Sequence, residues 1–213
     1  MVEDLRTDWN AYYDHVPWTA RITRRITTNL LLDILKRQGL NYGSKIAEPG
    51  GANSCFFDAF TRSLKPAKYT VLDLNQKGLQ KFWEKHGENP IAEQRLFDVL
   101  AEPSDLRETA DLVFSAGLIE HFDTAGTRTA VQHHFDLAKP GGLVLVTFPT
   151  PVLTYRLIRT ALERAGRWSF PDERPLLFDE VRSAMKPYGT ILDERVNRAI
   201  GLAQGIIIAQ KSL

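Results

Sequence analysis

Cysteine is nearly missing from this chain. Cys55 stands alone among 213 residues, which excludes an internal disulfide and a cysteine-rich metal site and suits a reducing compartment. A charge excess is missing too: 27 Lys and Arg stand against 26 Asp and Glu, for a formal net charge of +1. Both signs are mixed along the chain, so no nucleic-acid partner is expected. No stretch is long and apolar enough to span a bilayer, which takes about 20 residues. The opening MVEDLRTDWN lacks the layout of a signal peptide, and a cytoplasmic location is the expectation. Repeats, low-complexity stretches and linkers are absent, so residues 1–213 are expected to form a single domain. No feature of the sequence sets an oligomeric state.

What is present is a change of rhythm. Within 18–38, Ile22, Ile26, Leu30 and Ile34 recur every four positions, predicting an amphipathic helix ended by Gly39. Arg21, Arg24 and Arg25 fall largely on its other side, where a solvated face is the expectation and a grip on a phosphate or carboxylate of an acceptor is the alternative. Ahead of it, DWNAYYDHVPW predicts a short aromatic helix stopped before Pro17. From residue 45 short strand-like runs alternate with helical patterns. Strands are expected at 44–48, 69–74, 93–97, 111–116 and 141–148, and helices at 53–64, 75–86, near 103–109 and at 124–138. Such alternation implies parallel strands joined by crossovers, hence an α/β sheet with helices on both faces. The ending differs. After helices at 151–165 and 178–186, strand-like runs at 190–198 and 205–211 have only a short connection, predicting an antiparallel hairpin at the sheet edge.

The stretch KIAEPGGANSCFFDAF joins the first strand to its helix through a turn of small residues. In open parallel sheets ligands bind at the carboxyl ends of the strands. There a small turn lets backbone approach the ligand, and the next helix offers free N–H groups. Asn53 or Ser54 can cap that helix. Asp73 ends the following strand, 23 residues after Gly50, a spacing that suits hydrogen bonds to a ribose. A dinucleotide fingerprint would need glycines at 52 and 55, where Ala52 and Cys55 stand. Glu48 would be awkward beside a pyrophosphate but welcome beside a cation. Cys55 is expected to be a small packing residue rather than a reactive thiolate. His133 and His134 lie mid-helix, on a face or partly buried.

With Glu48 and Gly50 in place and Ala52 and Ser54 as small replacements, this run resembles the first motif of class I S-adenosylmethionine-dependent methyltransferases. The resemblance continues through VLDLN with Asp73, LFDVL with Asp98, DLVFSAGLIEHF, and LAKPGGLVLVTFP, covering about 45–150. It implies a Rossmann-like three-layer sandwich whose mostly parallel seven-stranded sheet ends in an antiparallel hairpin. It also implies S-adenosyl-L-methionine as cofactor, S-adenosyl-L-homocysteine as product, and a cofactor site of Glu48, Gly50, Gly51, Asp73, Leu74, Asp98, Val99 and Ala116. The activity expected is in-line methyl transfer to a small-molecule acceptor, with neither a metal nor a covalent nucleophile required.

Acceptor chemistry is expected from the two regions outside that core, a helical N-terminal lid (1–40) and an acceptor-side insertion (149–178). Tyr12, Tyr13, Trp18, Glu120, His121, Tyr155 and Arg159 are the candidate acceptor-binding residues, with Trp9, His15, Arg156, Trp168 and Phe170 nearby. These suit a flat or amphipathic acceptor, with an anionic group where the arginines reach it. His121 is the candidate general base, since an unperturbed imidazole titrates near 6.5; lining the site is its other role. Two rival readings remain open: a non-catalytic S-adenosylmethionine-binding protein, and a nicotinamide-dependent oxidoreductase.

Overall fold

The computed structural model describes residues 6–14 and 18–213, the side chains of 18–20 excepted. His15 and the side chain of Trp18 therefore lie outside the described residues. Two helices come first, α1 (Trp9–Asp14) and α2 (Trp18–Arg37). The alternating part follows as β1 (Lys45–Pro49), α3 (Phe57–Leu64), β2 (Lys68–Asp73), α4 (Gln76–His86), β3 (Ala92–Leu96), β4 (Ala110–Ala116), α5 (Thr124–Leu137) and β5 (Ala138–Pro149). The chain ends in α6 (Leu153–Arg164), α7 (Phe178–Met185), β6 (Gly189–Asn197) and β7 (Gln204–Lys211).

The seven strands form one sheet in the order β3-β2-β1-β4-β5-β7-β6. Strands β1 to β5 pair in parallel, and β7 runs antiparallel to both β5 and β6. The expected final hairpin is therefore present, with its second strand inserted against β5. Strand order reverses between β1 and β4, and ligands bind at such a point in open α/β sheets.

Alternate residues of the central strands feed two cores. Leu112, Phe114, Leu143, Leu145, Ile206 and Ile208 pack with α2, α3 and α4 on one face. Val113, Val144, Val146, Ile207 and Ala209 pack with α5 and α7 on the other. On the first face, Phe57, Phe60 and Leu64 recur at helical spacing in α3 and are buried. Phe57 meets Tyr69 at 5.0 Å between ring centroids, and Phe60 meets Phe114 at 4.9 Å. Each such side chain contributes about 1.5–3 kcal/mol by leaving water, so α3, which opens from the small-residue turn, is firmly anchored.

Three expectations need correction. Residues 104–108 form turns and not a helix; Leu106 N–H donates to Pro103 O, and Glu108 and Thr109 donate to the carbonyls of Asp136 and Leu137. Backbone spent on tying this segment to the end of α5 is unavailable for a helical ladder. The helix after the small turn starts at Phe57, because the Ser54 hydroxyl accepts from the N–H groups of Phe56 and Phe57 at 3.3 and 3.2 Å. In α2 the predicted stripe holds at Ile34, which is buried, and at Leu30, which packs on the core, but fails at its start: Ile22 is 54% exposed, and Thr27, Thr28, Leu31 and Leu35 are buried beside the stripe. Only the second half of α2 lies on the core; the inner face of its first half borders a cavity.

Gly205, buried near the start of β7, has no room for a side chain. An added Cβ would lie 2.6 Å from Cε2 of the fully buried Phe148. Gly205→Ala is expected to cost about 1–3 kcal/mol of stability, read as a lower denaturant midpoint at an unchanged m-value.

Candidate active site

The carboxyl ends of β1, β2 and β4 open into a cavity of about 1050 Å³. Glu48 and Gly50 stand where β1 ends. Gly50 has φ +70°, and a Cβ there would meet Leu118 at 2.8 Å, while one on Gly51 would meet the Glu48 carboxyl carbon at 2.7 Å. Backbone must therefore lie bare at both positions. Ala52 follows with φ +37°, a conformation that costs an L-residue about 1 kcal/mol; its methyl is fully buried, which offsets part of that cost. Room for this methyl comes from Gly78 at the start of α4, where a Cβ would sit 2.6 Å from that of Ala52.

The Glu48 carboxyl is only 3% exposed and accepts a 2.7 Å hydrogen bond from the Tyr69 hydroxyl. Burial pushes its pKa from 4.5 up to about 7, against the pull of Ser54 and Tyr69. Asp73 accepts from Asn75 N–H at 2.7 Å on one oxygen and from Ala52 N–H at 2.9 Å on the other. Burial raises its pKa too, opposed by these bonds. The second carboxylate thus holds the first turn in place and still lines the cavity.

All eight residues expected at a cofactor converge on this one space: Glu48, Gly50, Gly51, Asp73, Leu74, Asp98, Val99 and Ala116. Asp98 also closes its own turn, accepting from Leu100 N–H at 2.8 Å. His133 supports that turn from behind, donating from Nδ1 to the Val99 carbonyl at 2.8 Å. Both mid-helix histidines are buried. His134 bridges the Ala130 carbonyl and the Ser115 hydroxyl, and burial pulls its pKa down to about 4. Cys55 is not a packing residue: it is exposed, and its open side faces the cavity. The surrounding protein pushes its thiol up to about 12, so it is no ready thiolate.

Over the other end of the cavity lies α1. Trp9, Tyr12 and Tyr13 line the space, and Trp9 meets the His121 ring edge-on at 5.0 Å. Phe170 completes the aromatic wall, 5.2 Å from Tyr12. Polar ties fasten the helix. Asp14 pairs with Lys77 and, at 2.8 Å, with Lys81; Asn10 accepts from Asn75 at 3.0 Å; Thr7 donates to Asp172.

His121 ends a 3₁₀ turn (Ile119–His121). Its Nδ1 is 3.1 Å from Asp172 Oδ1. Burial lowers the imidazole pKa while Asp172 opposes the shift. Burial works against ionisation of Asp172, but Thr7 and His121 together hold its pKa below the usual value. Glu120 is 2% exposed; burial pushes its pKa well up, and its Oε2 has no hydrogen-bond partner.

Tyr155 and Arg159 do not line the cavity. Tyr155 is buried, and Arg159 donates to the Tyr155 hydroxyl at 2.9 Å and to the Glu173 carbonyl at 2.8 Å, with Trp168 under its guanidinium at 5.1 Å. They back the segment that presents Phe170, Asp172 and Glu173. Lining residues outside the expected set include Asp172 and Arg24. Asp172 had no motif to mark it. Arg24 had been assigned to a solvated face, yet it lines the cavity and donates to the Tyr12 hydroxyl at 3.2 Å. Its signal was there: Thr23, Arg24 and Thr27 share a helix face, and a polar face beside an aromatic segment is not an ordinary solvated one.

The family profile described as "Methyltransferase domain" matches residues 48–146. Among curated protein sequences none matches. Solved structures share the fold. One is magnesium protoporphyrin IX methyltransferase from Synechocystis PCC 6803 with bound S-adenosylhomocysteine, at 14% identity and TM-score 0.72, over 93% of this chain and 89% of that one. Another is the N-methyltransferase NodS from Bradyrhizobium japonicum WM9 in complex with S-adenosyl-L-homocysteine, at 16% identity and TM-score 0.65, over 89% and 86%.

Glu48 gives a stability signature. Its folded pKa is raised, so between pH 4.5 and about 7 the unfolded chain ionises while the folded one keeps its proton. Its contribution is complete below pH 4.5 and is lost as pH rises to about 7, a decline of about 3 kcal/mol. Glu48→Gln is expected to remove most of that slope, measured by denaturation of the ligand-free protein across this range.

Proposed function

We propose that this chain is a class I S-adenosylmethionine-dependent methyltransferase, a reading supported by the methyltransferase-domain profile over residues 48–146, and that it methylates a small-molecule acceptor at the α1-covered end of the cavity. The observation that carries this reading is the convergence of the cofactor-type residues, the aromatic wall and the His121–Asp172 pair on one space. The bare backbone at Gly50 and Gly51, with acids at the ends of β1 and β2, fits the cofactor.

S-adenosylmethionine supplies an activated methyl group, so the protein's work is to bind, align and manage a proton. Asp73 keeps lone pairs free for ribose hydroxyls. Leu74, Asp98 and Val99 form the adenine side, and Ala116 with the turn at Gly50 the inner wall. Glu48 offers an acceptor to an ammonium group, and Arg24 a cation to a carboxylate, so the two ends of an amino acid have opposite partners. At the acceptor end, Asp172 takes the Nδ1 proton of His121 in a hydrogen bond. This fixes the tautomer with a free Nε2, the atom that receives a proton from an acceptor O–H or N–H. Trp9, Tyr12, Tyr13 and Phe170 exclude water and hold a flat or amphipathic acceptor, the segment 1–40 acting as a lid. Glu120, buried in the loop after β4, lines the site, and Tyr155 and Arg159 support it through Glu173. Holding acceptor and methyl in near-attack geometry is worth up to about 7–11 kcal/mol.

Calorimetric titration with S-adenosylhomocysteine and with NAD tests the cofactor, and methyl-release turnover against metabolite pools tests the transfer and identifies the acceptor. Asp73→Ala is expected to weaken S-adenosylhomocysteine binding by about 1.5–3 kcal/mol; unchanged affinity would remove Asp73 from the site. For the proton route, His121→Ala should lower kcat by about 10²–10⁴-fold and remove the low-pH limb of its pH profile, where protonation of the imidazole takes away the base. Asp172→Asn should move that limb while cofactor affinity stays the same. A flat profile in the unsubstituted protein would leave His121 a lining residue only.

A further inference from the structure

Helix α6 is amphipathic in sequence, yet of its residues only Tyr155 is buried. Leu153 and Leu157, one turn apart on the same face, are 71% and 62% exposed. Arg156 and Arg164 flank them, and Arg167 follows just beyond the helix end; all three are exposed. The acidic residue in 151–167 is Glu163, and Arg159 holds it at 2.7 Å. None of α6 lines the cofactor cavity.

The surface continues past the helix. Segment 198–203 carries exposed Arg198 and no acid. It lies against α6, since a Cβ on Gly201 would be 3.1 Å from Ile158, and Thr150 N–H donates to Ala203 O at 3.2 Å. On its far side Gln204 meets Thr27 of α2 at 3.1 Å. The first half of α2 adds exposed Arg21, Arg25 and the 54% exposed Ile22, again without an acid. Ile200 and Gln204 meanwhile line the cavity. An apolar and basic rim thus runs beside the cavity mouth.

We infer that this rim docks on an anionic lipid surface, with Leu153, Leu157 and Ile22 entering the interface and the arginines meeting headgroup phosphates. Exposed aliphatic side chains interleaved with arginine on one helix face are what an interfacial helix presents. Juxtamembrane basic residues each strengthen attachment to anionic lipid on the order of fivefold. A second copy of the chain is a poorer occupant, because a symmetric pairing sets Arg156 and Arg164 against their own counterparts. Among the described residues no helix is long and apolar enough to cross a membrane, so attachment is peripheral. Taken together with the proposed methyl transfer, on which this clause rests, docking brings the cavity mouth to an amphipathic acceptor held in the bilayer.

Co-sedimentation of the full chain with phosphatidylcholine vesicles, with and without phosphatidylglycerol, tests the docking. Binding is expected only with phosphatidylglycerol and should fall as salt rises. The doubly substituted Leu153→Glu, Leu157→Glu protein should bind at least tenfold more weakly with its melting temperature and S-adenosylhomocysteine affinity unchanged. Absence of binding at low salt, equal binding to both vesicle types, or equal binding by the variant overturns the inference. So does a concentration-dependent dimer that the variant abolishes, which would make the rim a self-association surface. S-adenosylhomocysteine titration on the same samples separates loss of docking from failure of the methyltransferase reading.

Discussion

A carboxyl group sits under the turn that follows β1, and much of the site's geometry depends on keeping it there. Glu48 is buried against Tyr69, whose ring lies in the aromatic core that α3 builds on the sheet. The turn above can only be as close as it is because Gly50 and Gly51 carry no side chain. Asp73 then ties the turn to β2 through the Ala52 N–H. Burying one acid and sharing a second with backbone costs solvation that the large aromatic core offsets. The result is a polar cleft with fixed walls, which is what alignment of two reactants requires.

The α1-covered end of the cavity is built on a different basis. Its wall comes from segments far apart in sequence, α1 and residues 168–173, and what joins them is polar as well as aromatic. Thr7 and His121 both meet Asp172, and Trp9 stacks edge-on to His121. Behind this, Arg174 reaches Thr127 at 3.0 Å and Thr127 reaches the Ile119 carbonyl at 2.8 Å, so α5 sets the position of the loop carrying Glu120 and His121. None of the described residues of α1 is buried. Its ion pairs, Asp14 with Lys77 and Lys81, are exposed, and such pairs are each worth little.

The legible parts of this chain were those fixed by local rules. Alternating strand and helix patterns, the small turn, and an acid at the end of the next strand are each written in a few consecutive residues, and the last two lie on the cavity. The failures have equally specific causes. Residues 104–108 look helical by composition, but their backbone bonds to the end of α5. The α2 periodicity places Ile22 inside, where tertiary packing leaves the helix start beside a cavity and turns Thr27 inward.

Sequence by itself therefore determined the layer order, the small turn and strand-end acid that line the cavity, and the hairpin that finishes the sheet, because period and turn chemistry act over neighbouring residues. Only the tertiary structure decided that Asp172 meets His121 across 51 positions, and that Arg24 faces inward. Tyr155 and Arg159 came to stand behind the wall and not in it for the same reason. Such pairings depend on where segments with no shared local signal come to rest on the sheet. That placement is set by packing and hydrogen-bond satisfaction over the whole molecule.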